Sequence, residues 1–154
     1  YFGLDAEKAR EIVHLADGNY LQALRFIRTS ETEKGHFEQF VSLMRLSYAR
    51  KVVEILEWID EFTPTGRENI KMFLQYAARM IRENFMMNLQ MKNIVYLTNE
   101  EQSFSEKFSR YIHQNNAKNI YNEFNKAYRD IQMNAHAKTV LLDLSVQLMK
   151  LLRV

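Results

Sequence analysis

Leu15-Ala16-Asp17-Gly18-Asn19-Tyr20-Leu21-Gln22-Ala23-Leu24 reads as helix, turn, helix, and its flanks set the class of the whole chain. Before it, Ala9, Ile12, Val13 and Ala16 recur at helical spacing behind Asp5, whose side chain suits an N-cap. After it, Leu21, Leu24 and Ile27 carry a second helix. Gly18 is free to take the left-handed conformation that closes the first helix, and Asn19 offers a side-chain oxygen to the first amides of the second.

The 154 residues suffice for one sizeable core, or for a small piece of one domain joined to a compact second one. An apolar content of 47%, with 12% aromatic residues, excludes a disordered chain. Four glycines and one proline are too few for the turns of a many-stranded fold, so the expected class is all-α. The absence of cysteine rules out a disulfide framework and cysteine-ligated zinc. With no apolar run of membrane-spanning length and no signal peptide, a cytoplasmic location is expected. The start at Tyr1, without a methionine, predicts a piece of a longer protein.

The segment from Thr29 to Gly35 is polar and ends in glycine, which predicts a linker and a domain boundary. Beyond it Phe37, Phe40, Val41, Met44, Tyr48, Val52, Leu56, Ile59 and Phe62 keep spacings of three and four. They predict one long helix, or two in tandem bent near Leu46-Ser47, with Trp58 among Glu57 and Asp60 at a surface. Thr63-Pro64-Thr65-Gly66 stops that run, and a new helix begins at Gly66 or Arg67. Its buried face is predicted as Ile70, Phe73, Leu74, Ala77, Ile81 and Phe85, followed by a methionine-rich stretch where helices converge. Thr98-Asn99-Glu100-Glu101 has the form of a capping box. Helices follow at about 100 to 113 and 117 to 133, carrying Phe104, Phe108, Ile112, Ile120, Phe124, Ala127 and Ile131, with Asn115-Asn116 between them. Aromatics alternate with Lys and Arg from Phe104 to Arg129, which at helical spacing reads as one apolar and one solvated face before it reads as a DNA contact. The last helix is predicted from about Asn134 to Leu152.

In that last helix, Ala137, Val140, Leu141, Leu144, Leu148, Leu151 and Leu152 gather on one broad face, the expected core stripe. Leu142, Val146 and Met149 form a second, narrow stripe roughly 150° away, between flanks that include Lys138, Lys150 and Arg153. Either another helix of the bundle covers this stripe, or it is kept for a neighbouring subunit.

Reactive groups are scarce. No Gly-x4-Gly-Lys-Ser/Thr run exists to cradle phosphates, no thiol is present, and no serine sits in a Gly-x-Ser-x-Gly elbow. Of the four histidines, His14, His36, His113 and His136, two close Glu-x-x-His sequences, Glu11 to His14 and Glu33 to His36, the spacing of di-iron bundles. The second spans Gly35, and the apolar stripes carry no glutamate, so no metal site, cofactor or catalytic residue is expected. The Phe, Tyr and Met stripes read as core rather than as a ligand pocket, so no small-molecule substrate is expected either.

The run Ala16-Asp17-Gly18-Asn19-Tyr20-Leu21-Gln22-Ala23-Leu24 resembles the last lid helix of the AAA+ subunits of bacterial clamp loaders. In the ATP-hydrolysing members the residue three places after that glycine is an arginine that reaches the nucleotide, the sensor 2 position. Here it is Leu21, which implies a member that does not hydrolyse ATP, of the delta prime type. The chain from Phe37 to Val154 also resembles the delta prime collar domain, through Arg67-Glu68-Asn69-Ile70-Lys71-Met72-Phe73-Leu74 and the closing helix from Asn134 with Asp143 and its leucines.

The resemblance implies a lid end over residues 1–33 and a collar bundle of five or six helices over 36–154, without an active site of its own. The parent would belong to the DNA polymerase III holoenzyme. The collar would hold the other clamp-loader subunits, with Leu142, Val146 and Met149 as interface candidates, and the sliding clamp and primed DNA would be engaged only through the whole complex. No membrane partner is implied. The reading from another class is a free-standing helical adaptor that takes a partner helix in a groove.

Overall fold

The computed structural model describes residues 20–91 and 97–154, with side chains from residue 35 onward. Among these residues every element is helical: α1 Tyr20–Ala49, α2 Val52–Phe62, α3 Arg67–Asn88, α4 Asn99–Phe108, α5 Ala117–Gln132 and α6 Ala137–Leu151, with 3-10 turns at Thr63–Thr65 and Ser109–Tyr111. The all-α class expected from composition is the class observed. The chain divides into two compact units, residues 1–38 and 39–154, and the second holds the bundle. The Asp17-Gly18-Asn19 turn lies outside the described residues.

Thr29 to Gly35 is not a loop, because it lies inside α1. Its Glu and Lys residues are good helix formers, and one interior glycine costs only about 1 kcal/mol, too little on its own to break a helix of this length.

Helix α1 ends two residues later than the bend expected near Leu46-Ser47, and it ends completely. Arg50 takes a left-handed conformation (φ 56°). Its amide donates to the Ser47 carbonyl at 3.2 Å and the Lys51 amide donates to Leu46 at 3.1 Å. That pair of bonds is a Schellman motif, with arginine where glycine is usual. The same motif closes α3 at Gln90 (φ 61°), with Gln90 to Met87 and Met91 to Met86, and α5 at Asn134 (φ 65°), with Asn134 to Ile131 and Ala135 to Asp130. Asn134 thus ends α5 instead of starting the last helix.

The stop at Arg50 resets the helical phase. Phe40, Leu43 and Met44 are buried on α1, and Ile55, Trp58, Ile59 and Phe62 on α2. Val52 and Leu56, which continue the α1 spacing, are exposed instead. Trp58 is buried as well, contrary to its expected place at a surface: its indole N–H donates to Gln39 Oε1 at 2.6 Å and its ring stacks on Phe62 at 5.0 Å. The amphipathic indole satisfies its polar edge against Gln39, which is what makes burial tolerable.

Thr63-Pro64-Thr65 forms the stop that proline predicts, and Gly66 (φ 101°, ψ 158°) occupies backbone space open to glycine alone before α3 starts at Arg67. Helix α3 is the centre of the bundle. Ile70, Phe73, Leu74, Ala77 and Ile81 are buried as expected, joined by Tyr76, Ala78, Met80, Glu83, Asn84 and Met87, whereas Phe85 is only half-buried. Arg67 Nη1 donates to the carbonyls of Ile131 and Ala135 at 2.9 and 3.2 Å, so α3 starts where α5 finishes and the two run antiparallel.

The capping box holds α4: Thr98 Oγ1 accepts from the Glu101 amide at 3.3 Å and Glu101 Oε1 accepts from the Thr98 amide at 3.0 Å. Its other carboxylate oxygen accepts from the Tyr76 hydroxyl and from Arg79 Nη2 at 3.4 Å, so this buried acid fastens α4 to α3. Phe40 meets Tyr76, Phe104 and Phe108 edge-on at 5.9 to 6.4 Å, bringing α1 into the same aromatic core. At the turn between α4 and α5, Asn116 is 1% exposed. Its Oδ1 accepts from the His113 amide, and its Nδ2 donates to the carbonyls of Tyr111 and Leu151, which ties the turn to the end of α6.

Candidate interaction surface

Helix α6 has two apolar faces. Val140, Leu141, Leu144, Leu148 and Leu152 are buried, and Ser145 fits among them by returning its hydroxyl to the Leu141 carbonyl at 2.8 Å. Ala137 and Leu151, the remaining members of the expected core stripe, are half-buried. Across the helix, Leu142 is 36% exposed, Val146 is 37% exposed, and Met149 is intermediate. No other helix of the described bundle closes over Leu142 and Val146.

Helix α2 lies beside α6 and runs against it. Lys138 Nζ meets Asp60 Oδ1 at 3.1 Å at one end, and Arg50 Nη2 lies 3.4 Å from the Met149 carbonyl oxygen at the other. Asp60 and Lys138 therefore mark the edges that the two helices share. On α2, Leu56 and Val53 stand four and seven residues before Asp60 and so fall on its strip; on α6, Leu142 and Met149 stand four and eleven residues after Lys138. Both strips are apolar, and Val52, Val53 and Leu56 are all exposed.

The stripe read from the sequence on one helix is therefore half of a seam between two. Exposed Glu54, Glu57 and Glu61 line α2 beyond it, and exposed Lys150 and Arg153 line α6. A large apolar strip between rows of opposite charge is unusual for a surface that meets only water. The α2 half was illegible in the sequence because it depends on the phase reset at Arg50.

Leu21, at the position the resemblance equates with sensor 2, lies on α1 and its side chain is outside the described residues, as is His14. His36 lies within α1. His113 accepts the Asn115 amide on Nδ1 at 3.2 Å, and His136 occupies the N-cap position of α6, with Nδ1 3.0 Å from Thr139 Oγ1. Among the described residues no three His, Asp or Glu side chains group to hold a metal ion, and no helix is long and apolar enough to cross a membrane. No protein-family model, curated protein or solved structure matches the chain.

Proposed function

We propose that this chain is an assembly module: a helical bundle that offers the α2–α6 seam to another protein and performs no chemistry itself. The observation that carries the reading is the two-faced α6, with Leu144 at 1% exposure on one side and Leu142 and Val146 at 36% and 37% on the other. Burying the six apolar side chains of the seam against a partner would contribute several kcal/mol at about 25 cal/mol per Å² of apolar surface.

The finer reading rests on the sequence resemblance. The bundle is the collar of a delta prime clamp-loader subunit, and the seam is a contact through which the collar holds its neighbours. With leucine at position 21, the chain neither binds nor hydrolyses ATP, and its contribution to placing the sliding clamp on primed DNA is structural. Co-purification with the remaining clamp-loader subunits, followed by size-exclusion chromatography with light scattering, tests this directly. A stoichiometric complex supports the reading, and its absence at micromolar concentrations refutes it.

The seam also favours the adaptor reading, since two antiparallel helices with acidic and basic borders form a groove suited to one amphipathic helix. A partner helix captured with full affinity in the absence of any clamp-loader subunit would decide for the adaptor.

A further inference from the structure

Five cations with no carboxylate partner among the described residues gather at one end of the bundle. The carbonyl end of α1, the corner between α1 and α2, the Ser109–Tyr111 turn and the last turn of α6 meet there. Arg153 donates through Nε and Nη2 to the Tyr48 carbonyl at 2.9 and 2.7 Å, and Asn116 joins the turn to Leu151. Arg50, Lys51, Arg110, Lys150 and Arg153 are all exposed here. The ion pairs among the described residues use other cations: Lys71, Arg79, Arg82, Lys126 and Lys138. Glu54 and Glu106, the acids nearest in sequence to Lys51 and Arg110, form no ion pair among the described residues.

Helix dipoles account for part of this. Carbonyl ends of helices favour cations, and Arg50 and Arg153 donate to such carbonyls. Lys51, Arg110 and Lys150 hydrogen-bond to no main-chain carbonyl among the described residues, so capping leaves them unexplained. The aromatic groups are equally particular. Tyr48 and Tyr111 pack with ring centroids 4.9 Å apart. Arg153 lies 4.7 Å over Tyr48 and Arg110 lies 5.0 Å over Tyr111. Two guanidinium groups thus lie over rings in residues that remain exposed, with further exposed cations around them.

We propose that this end of the bundle binds single-stranded nucleic acid, with unpaired bases on the Arg110 and Arg153 planes and the phosphate backbone along Lys51, Lys150 and Arg50. The proposal favours a single strand because a duplex keeps its base faces stacked inside and has none to offer. It does not depend on the clamp-loader reading, and it uses residues away from the α2–α6 seam apart from its border.

The test is fluorescence anisotropy of a labelled oligothymidine of about 20 nucleotides, titrated with the 154-residue chain at several salt concentrations. The triple variant Lys51→Gln, Arg110→Gln, Lys150→Gln spares the arginines that cap helices. It is expected to weaken binding about tenfold or more and to flatten the slope of log K against log salt by about 1.4, as two lost phosphate contacts at Lys51 and Lys150 require, while the loss of Arg110 removes a stacking plane. Lys126→Gln, Arg129→Gln, Lys138→Gln removes the same charge elsewhere and is expected to leave binding unchanged. An abasic strand of equal length should bind more weakly than the oligothymidine. The proposal is overturned if the chain fails to bind at about 50 mM salt, if both triples weaken binding equally, or if duplex binds as tightly as the single strand.

Discussion

Replacing Asn116 by alanine should be among the costliest polar substitutions in this chain. The side chain is 1% exposed and makes three bonds, to the His113 amide at 2.9 Å, the Tyr111 carbonyl at 2.8 Å and the Leu151 carbonyl at 3.0 Å. Two carbonyl partners and one amide partner fix which side of the amide carries the hydrogens. At about 1 kcal/mol net for each bond lost, Asn116→Ala costs about 3 kcal/mol, a fall in Tm of about 9 °C for a domain of this size. Asn116→Asp keeps the acceptor for His113 but turns a carboxylate oxygen toward two carbonyls, so it should cost more than alanine does. Urea unfolding followed by circular dichroism measures both. A loss below about 1 kcal/mol for alanine, or an aspartate variant as stable as the parent, would refute the claim that this amide joins the α4–α5 turn to the end of α6.

Three further substitutions test the turns and the cap. Gly66→Ala meets no atom within 4 Å, so its cost is purely that of backbone conformation, about 1 to 3 kcal/mol; an unchanged melting temperature would mean that the residue does not hold φ 101°. Gln90→Gly relieves a left-handed non-glycine residue and should raise stability by about 0.5 to 1 kcal/mol despite the extra freedom it gives the unfolded chain, and a loss of that size would argue against the Schellman ending of α3. Glu101→Gln keeps the shape of a capping group that Thr98, Tyr76 and Arg79 share, but weakens its charge-assisted bonds, and should cost about 1 to 2 kcal/mol by chemical denaturation; a neutral effect would show that the buried charge contributes nothing to joining α3 and α4.

What the sequence reveals about this bundle is its local chemistry. Thr98 and Glu101 cap α4 as their spacing requires, Pro64 and Gly66 separate α2 from α3, and the α3 and α5 stripes are buried in the expected phase, because each feature is set by residues within one turn of one another. The helix ends at Arg50 and Gln90 were illegible. Neither residue type favours the left-handed region, so nothing in the sequence announces the Schellman endings that they form. The error at Arg50 then spread. Carrying the α1 spacing across it puts Val52 and Leu56 inside and Trp58 outside, the reverse of what one reset phase produces. The candidate site was legible to the same extent: the second stripe on α6 stands out because a single helix can be read by its period, but its continuation on α2 needed both the phase and the pairing of two helices.

The most direct test of the assembly reading compares Leu142→Glu with Met149→Glu, made together, against Leu144→Glu. Leu144 is 1% exposed, so a glutamate there buries an unpaired charge and should unfold the bundle, whereas the double variant changes one exposed and one half-buried side chain, from which a glutamate can reach water. The account predicts that the double variant melts within about 2 °C of the parent but no longer forms a complex with clamp-loader subunits, while the Leu144 variant loses its cooperative melt. If the double variant melts as early as the Leu144 variant, the stripe is core and the account is contradicted; if it stays folded and still assembles, the seam is not the surface that holds a partner.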